Sequence, residues 1–461
     1  MIRPLILIAI ACFAAPAGAQ SRKPNFLFLF ADDMRADSIA ALGNRDIRTP
    51  NLDALVKRGF AFTNAYCFGG NLGAVCTPSR NMLLSGNAYF RWKDFTPPGM
   101  PNRKGNLAPG DGPNLPSSLK AAGYWTYHHG KRGNTAPLIQ SNFEVNEYLK
   151  NDEAERKSGE PGREIVDSAI LRLKNRNDDR PFAMYLAFGN PHDPRVAAKT
   201  YRDQYDPKSI LLPANRRPIH PFDNGELTVR DEQLLPWPRT DADLRATLHD
   251  YYATITAMDF HIGRLIDHLK SSGQLDNTVI VFSADQGIAI GSHGLLGKQN
   301  LYDHSMKVPL VFAGPGIRKG SSAALCHLFD IYPTLVELAG SEAPPSIDGR
   351  SLKPVLDGTI SIHREAIMLA YIDKQRAIRD ERWKMILYPQ VNITQLFDLH
   401  NDPGEETNLA ERPESTRRVE LLTSRLVALQ KQFDDQLALA STTVKPANVT
   451  AEELTRRVRK K

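Results

Sequence analysis

Hydrophobic positions in this chain have two textures. Over residues 25–30, 124–127, 182–188 and 278–282 they run almost without a break, the pattern of strands buried on both faces of a parallel sheet. Each run then stops at polar residues: Asp32 and Asp33 after the first, Lys131 after the second, His192 after the third, Asp285 and Gln286 after the fourth. Ligands of open α/β sheets bind at the carboxyl ends of the strands, so these side chains are candidates for one site. Between the runs, apolar residues recur at helical spacing. Residues 50–58 follow Thr49 as cap, open with Pro50 and stop at Gly59, while residues 115–122 stop at Gly123. Residues 241–271 carry a long apolar stripe beginning at Leu244 and ending at Leu269, which reads as core packing.

After about residue 360 the texture changes to short alternating segments at 366–371, 375–379, 383–388 and 395–399, which predict a small antiparallel sheet. A helix over 413–438 follows, and the basic end, residues 456–461, is expected to fray. The expected fold class is therefore α/β. A large domain over residues 20–358 holds a central, mostly parallel sheet flanked by helices, and a small C-terminal α+β domain over residues 359–461 holds the antiparallel sheet. Two stretches are irregular. Residues 92–112, rich in Pro, Gly and Asn, are expected as a long loop at the rim of a site, and the proline-rich residues 195–240 as a substrate-facing insertion.

The amino terminus adds a compartment. Arg3, an apolar run over residues 4–15 and Ala17-Gly18-Ala19 form the pattern of a cleaved secretory signal over residues 1–19, too short to serve as a membrane span. Ala9 stands where a lipid-attachment motif has Leu, so no membrane anchor is expected and the mature chain is read as periplasmic or secreted. Cleavage leaves Cys67, Cys76 and Cys326, an odd number for an oxidising compartment. One of them is then unpaired or chemically altered, and a Cys67–Cys326 disulfide is one way to pair the others. The net charge of +6, on 58 basic and 52 acidic residues, describes a mixed solvated surface rather than a nucleic-acid patch, and it suits an anionic substrate.

The chemistry centres on Cys76-Thr77-Pro78-Ser79-Arg80. A proline two residues past the cysteine fits the first turn of a helix, where free N–H groups and the helix dipole favour an anion. Arg80 falls one turn further on the same side. Asp32, Asp33, Asp285 and Gln286 together make an all-oxygen ligand set that suits calcium better than magnesium. His192, fixed between Pro191 and Pro194 after a strand, is held as a general acid needs to be.

These segments also resemble a known family. C-T-P-S-R with the downstream L-S-G, N-F-L-F-L-F-A-D-D, T-P-N-L-D, G-Y-W-T-Y-H-H-G-K, P-H-D-P, G-S-H-G-L-L-G-K-Q and L-F-D-L are similar, in order, to the motifs of formylglycine-dependent sulfatases, which have an alkaline-phosphatase-like fold. The resemblance implies that a maturation enzyme oxidises Cys76 to formylglycine, whose hydrate both contacts one calcium ion and attacks sulfur. It implies that Arg80, Lys131 and Lys298 bind the sulfate, that His192 serves the leaving group, and that the substrate is a sulfated small molecule or glycan. One position departs from the pattern: the family's histidine two residues beyond the lysine is Gly133 here. His129 is the nearest replacement, and His293 stands either beside the site or merely in its loop. A phosphonate or phosphate ester hydrolase of the same superfamily, and a binding protein with an unmodified Cys76, are the alternative readings.

Overall fold

A computed structural model describes residues 22–94, 107–108 and 112–459; the expected signal segment and most of the rim loop lie outside the described residues. The core is an eight-stranded sheet. In spatial order its strands are Gly320–Ser322, Phe60–Phe62, Leu310–Ala313, Thr278–Ala284, Asn25–Asp32, Phe182–Pro191, Trp125–Gly130 and Val145–Tyr148. The strand Asn25–Asp32 lies mid-sheet and all its residues are buried, as its unbroken apolar run demands. It pairs in parallel with Thr278–Ala284 on one side and with Phe182–Pro191 on the other. Phe30 stands opposite both Ser283 and Ala187, so three chain segments leave the sheet at the same level. Only the two pairings of Leu310–Ala313 are antiparallel, and the sheet is mostly parallel as expected.

Helix Asp241–Ser271 is capped by Thr240, whose hydroxyl accepts the Asp243 N–H at 3.2 Å. At ~1.5 Å per residue its 31 residues span about 46 Å, and it packs against the strand Phe182–Pro191. In the C-terminal part, Ala366–Tyr371, Gln375–Asp380, Trp383–Tyr388 and Ile393–Asp398 form consecutive antiparallel hairpins, with helix Thr416–Phe433 packed on them.

Two features differ from the sequence reading. The small sheet has a fifth strand, Gly69–Gly70, paired in parallel with Ala366–Tyr371. Gly69 has φ +109, and a Cβ there would sit 2.1 Å from the Ala370 carbonyl oxygen, so only glycine fits. The border expected at 358 is thus bridged by the segment just before Cys76. The basic end, expected to fray, is instead a helix, Ala451–Arg459, with Leu454 buried and Arg457 paired to Asp223 and Glu453. No helix among the described residues is long and apolar enough to cross a membrane.

Candidate active site

Cys76 opens helix Cys76–Ser85, with Pro78 in its first turn and Gly86 closing it in the left-handed region at φ +72. The predicted start is met, and every residue of this helix is buried. The Cys76 thiol donates to Asp32 Oδ1 at 3.2 Å, and Lys298 Nζ and Gln286 Nε2 both approach Sγ at 3.2 Å. One turn on, Arg80 Nε and Nη2 reach Asp285 Oδ2 at 3.0 and 2.9 Å, and Nη2 lies 3.3 Å from Asp32 Oδ2. Asp285 Oδ1 accepts the backbone N–H groups of Asp33 and Gln286 at 3.0 and 2.9 Å. Lys298 Nζ sits on both oxygens of Asp33 at 2.7 and 2.9 Å. Asp32, Asp33, Cys76 and Asp285 each offer an atom to a cluster whose members lie within 4.8 Å of one another.

Gln286 turns its amide nitrogen to Asp33 Oδ1 at 2.6 Å, leaving Oε1 buried without a hydrogen-bond partner. A half turn of the amide exchanges the two atoms at no steric cost. The remaining two candidates close the mouth. Lys131 Nζ lies 3.9 Å from Asp32 Oδ2 and 3.9 Å from Asp152 Oδ2, and His192 Nε2 lies 3.8 Å from Asp33 Oδ2. Both are partly exposed while the rest of the cluster is buried, so this is the side on which the site opens. All nine candidates, Asp32, Asp33, Cys76, Arg80, Lys131, His192, Asp285, Gln286 and Lys298, converge.

Electrostatics divide the carboxylates. Burial disfavours ionised Asp32, but Lys131, His192, Arg80 and Lys298 outweigh it and hold its carboxyl well below the usual range. Asp285 goes the other way, because burial and the neighbouring Asp32 charge outweigh Arg80. Burial, with the charge of Asp32, also pushes the Cys76 thiol well up, against the pull of Lys298.

Residues 24–341 match the family model for sulfatases, more than half of the chain. The chain belongs to the sulfatase family. Residues 291–432 also match the model for the C-terminal part of N-sulphoglucosamine sulphohydrolase. This sulfatase is 27% identical to an N-acetylglucosamine-6-O-sulfatase of Bacteroides thetaiotaomicron, over 94% of this chain and 91% of that protein. It is 29% identical to a choline-sulfatase of Rhizobium meliloti, over 85% and 83%. Its structure aligns with a protein solved in complex with its substrate D-glucosamine-2-N,6-O-disulfate at a TM-score of 0.75, with 24% identity, covering 90% of this chain and 99% of that one. The phosphonate monoester hydrolase of Agrobacterium radiobacter aligns at 0.74, with 23% identity, covering 89% and 96%. These neighbours share its alkaline-phosphatase-like fold, and the chain is a sulfuric ester hydrolase.

In this sulfatase His129, the nearest expected replacement for the absent family histidine, lies off the cluster. His129 faces Glu147, 3.8 Å away, because strand alternation points it off the cluster, and its neighbour His128 packs on Tyr185 and bonds Asn146. Among the described residues, no atom beyond its own chain neighbours lies within 4 Å of where a Cβ on Gly133 would be. His293 is likewise outside the cluster, stacked on Tyr302 with ring centroids 3.9 Å apart. Cys67 and Cys326 are buried and free. Sequence reading missed Asp193, Arg230, Asp231 and Gln299, which join His192 to the Lys298 loop through hydrogen bonds. It also missed Asp152, the first residue of the helix Asp152–Lys157, whose Oδ2 lies 3.9 Å from Lys131 Nζ.

Proposed function

We propose that this sulfatase releases inorganic sulfate from a carbohydrate sulfate, using a formylglycine made from Cys76 and a calcium ion held by Asp32, Asp33, Asp285 and Gln286. The carrying observation is the convergence of a helix-start cysteine on a buried carboxylate cluster, 3.2 Å from both Asp32 and Lys298. As a thiol, Cys76 is a poor nucleophile: its buried, acid-flanked setting suppresses the thiolate. Modification resolves that conflict. A maturation enzyme is the implied partner, and periplasmic or secreted placement accords with the signal pattern of residues 1–19.

The donor set fits calcium, since it offers three carboxylates and an amide, all hard, with Gln286 Oε1 still unpartnered. When bound, the ion and the hydrated aldehyde supply Lewis-acid charge neutralisation and a nucleophilic hydroxyl. The protein's own cations do the rest. Arg80, Lys131 and Lys298 surround the place where sulfuryl oxygens gather charge, each well-placed donor contributing ~3 kcal/mol. His192 Nδ1 is tied to the Asp193 carbonyl at 2.7 Å, which fixes the ring and leaves Nε2 to hold the proton for the departing alcohol oxygen. The substrate class follows the relatives, an N-acetylglucosamine-6-O-sulfatase and ulvan-active sulfatases among them.

The test has two arms. Peptide mass spectrometry of active enzyme should show loss of sulfur at Cys76, and an intact thiol in fully active protein would sink the mechanism. Aryl sulfate, sulfated saccharides, phosphate monoester and phosphonate monoester assayed side by side should rank the sulfates first. A preference for phosphonate would replace the sulfatase reading by the superfamily alternative.

A further inference from the structure

We propose that the single turn Arg230–Leu234 is a clasp that sets the spacing between His192 and Lys298, with Arg230 as its central positioning residue. The inference rests on the reading above, in which those two side chains flank the scissile bond. The turn lies in the proline-rich insertion, whose sequence gives no periodic signal.

The contacts form a closed circuit. His192 Nδ1 donates to the Asp193 carbonyl at 2.7 Å. The Asp193 carboxylate receives both arms of Arg230, Nη1 to Oδ1 at 2.9 Å and Nη2 to Oδ2. Nη1 of Arg230 also donates to Asp231 Oδ1 at 2.7 Å. Asp231 Oδ2 accepts Gln299 Nε2 at 2.8 Å, and Gln299 Oε1 accepts the Lys298 backbone N–H at 3.0 Å. The two ends then meet on one carboxylate: Lys298 Nζ is 2.7 Å from Asp33 Oδ1 and His192 Nε2 is 3.8 Å from Asp33 Oδ2. The next residue reinforces the same span. Glu232 accepts the N–H groups of Leu296 and Gly297, at 3.0 and 2.7 Å, and is itself paired with buried Arg239 at 2.9 Å. Three successive side chains of one turn therefore hold the histidine loop and the lysine loop at a fixed separation.

Arg230 pairs with the residue next to His192 and its side chain is 58% exposed, so a direct role in binding an anionic substrate must be weighed. Its two terminal nitrogens are already committed to two carboxylates, and Asp231 is held at about 2 although it is buried, with Lys298, Gln299 and Arg230 offsetting the burial. A guanidinium shared by two ionised carboxylates has little charge left to offer a sulfate. What it supplies is geometry, since the two-pronged pair fixes direction as well as distance. Misplacing a reacting group by ~1 Å costs about 10²-fold in rate, so slack in the circuit should appear in turnover.

Sulfate release by wild type, Arg230→Gln, Arg230→Lys and Asp231→Asn, measured on nitrophenyl sulfate and on a sugar sulfate, tests this. Arg230→Gln should lower kcat on the sugar sulfate by roughly 10–10²-fold, with a smaller loss on nitrophenyl sulfate and KM little changed. Arg230→Lys should recover part of the loss, because it keeps the charge without the fork. On a His192→Ala background the Arg230→Gln change should cost less than it does alone, because its partner in the circuit is already gone. A raised KM at unchanged kcat, full additivity with His192→Ala, or unchanged kcat on both substrates would each overturn the clasp. Should Arg230→Gln fail to fold, Asp231→Asn, which cuts the circuit at the next link, carries the same comparison. Failure of the functional reading looks different: wild type itself would turn over no sulfate ester, and the clasp would then be tested on a phosphonate monoester by the same ratios.

Discussion

Replacing Asp285 separates two jobs that one carboxylate does. Oδ1 satisfies two backbone N–H groups, those of Asp33 and Gln286, and Oδ2 neutralises Arg80 at 2.9–3.0 Å. Both side chains are essentially inaccessible, Arg80 at 1% and Asp285 at 0%. Breaking a buried ion pair by removing one partner costs ~3–5 kcal/mol. The lower end applies here because Arg80 keeps Asp32 at 3.3 Å. Each buried N–H left without an acceptor adds ~1 kcal/mol or more. Asp285→Ala should therefore lose about 5 kcal/mol, a large part of a typical domain's stability. Asp285→Asn keeps an oxygen for the two N–H groups and relieves the repulsion from Asp32 that, with burial, disfavours the ionised carboxyl, so it should lose no more than ~2 kcal/mol. Calcium should not distinguish them, because both variants lack the charge. Urea unfolding with and without calcium, beside calorimetric titration of the ion, checks each part. Wild type should be stabilised by calcium and neither variant should be. Equal losses for Ala and Asn would refute the hydrogen-bond share of the argument, and undiminished calcium affinity in either variant would refute the ligand assignment.

His192→Ala should keep calcium and the modified Cys76 but slow turnover of a sugar sulfate by roughly 10²–10⁴-fold, and by much less for nitrophenyl sulfate, whose leaving group needs no proton. An equal loss on both substrates would assign His192 to positioning the sulfate instead. Gly69→Ala should cost at least ~2 kcal/mol in denaturant unfolding, since it must hold φ +109 and push against the Ala370 carbonyl; an unchanged midpoint would contradict the strand pairing. Acid should destabilise the fold through buried histidines that are not among the nine cluster residues. Burial pushes His128 and His220 down to about 4, against the hydrogen bonds to Asn146 and the Phe222 carbonyl. Their contribution is complete above the unfolded value near ~6.5 and is lost as pH falls towards 4, by about 2 kcal/mol each at pH 5. Unfolding free energies at pH 7.5 and pH 5 should differ accordingly, and His220→Gln should remove about 2 kcal/mol of the difference, leaving the His128 share.

The strand ends were legible because a strand buried on both faces must be apolar throughout, so the first carboxylate or histidine after it marks the sheet edge. The start of the helix that Cys76 opens was equally plain from Pro78 in its first turn. What was not legible needed register or alternation. His128 and His129 differ by one position, and only the strand's pairing with Val145–Tyr148 turns His129 to Glu147 and His128 to Asn146. The two-residue strand Gly69–Gly70 is too short to leave a pattern. Arg230, Asp231 and Gln299 are ordinary polar residues whose partners lie in other loops, and nothing local distinguishes them from surface charge. The terminal helix did leave a signal, because Leu454 and Val458 are four apart among charged residues, a one-sided apolar pair that fits a docked helix better than a frayed tail.

The opposite behaviour of Asp32 and Asp285 explains why the cluster is organised as it is. Three buried carboxylates, Asp32, Asp33 and Asp285, face three cations, Arg80, Lys131 and Lys298, so the count balances but the sharing does not. Asp32 has Arg80 and Lys131 nearby and feels His192 and Lys298 as well, and it stays ionised; Asp285 has one partner and the repulsion of Asp32. Lys298 is drawn to Asp33 rather than to Asp285. The carboxylate least favoured as an anion is thus also the one that locks Arg80 and orients two backbone amides. An additional positive charge at the cluster would favour the ionised form of Asp285 more than that of its neighbours, and would free Lys298 from Asp33 for an incoming anion. Cation binding and sulfate binding should accordingly reinforce each other, the coupling running through Asp285 and Lys298.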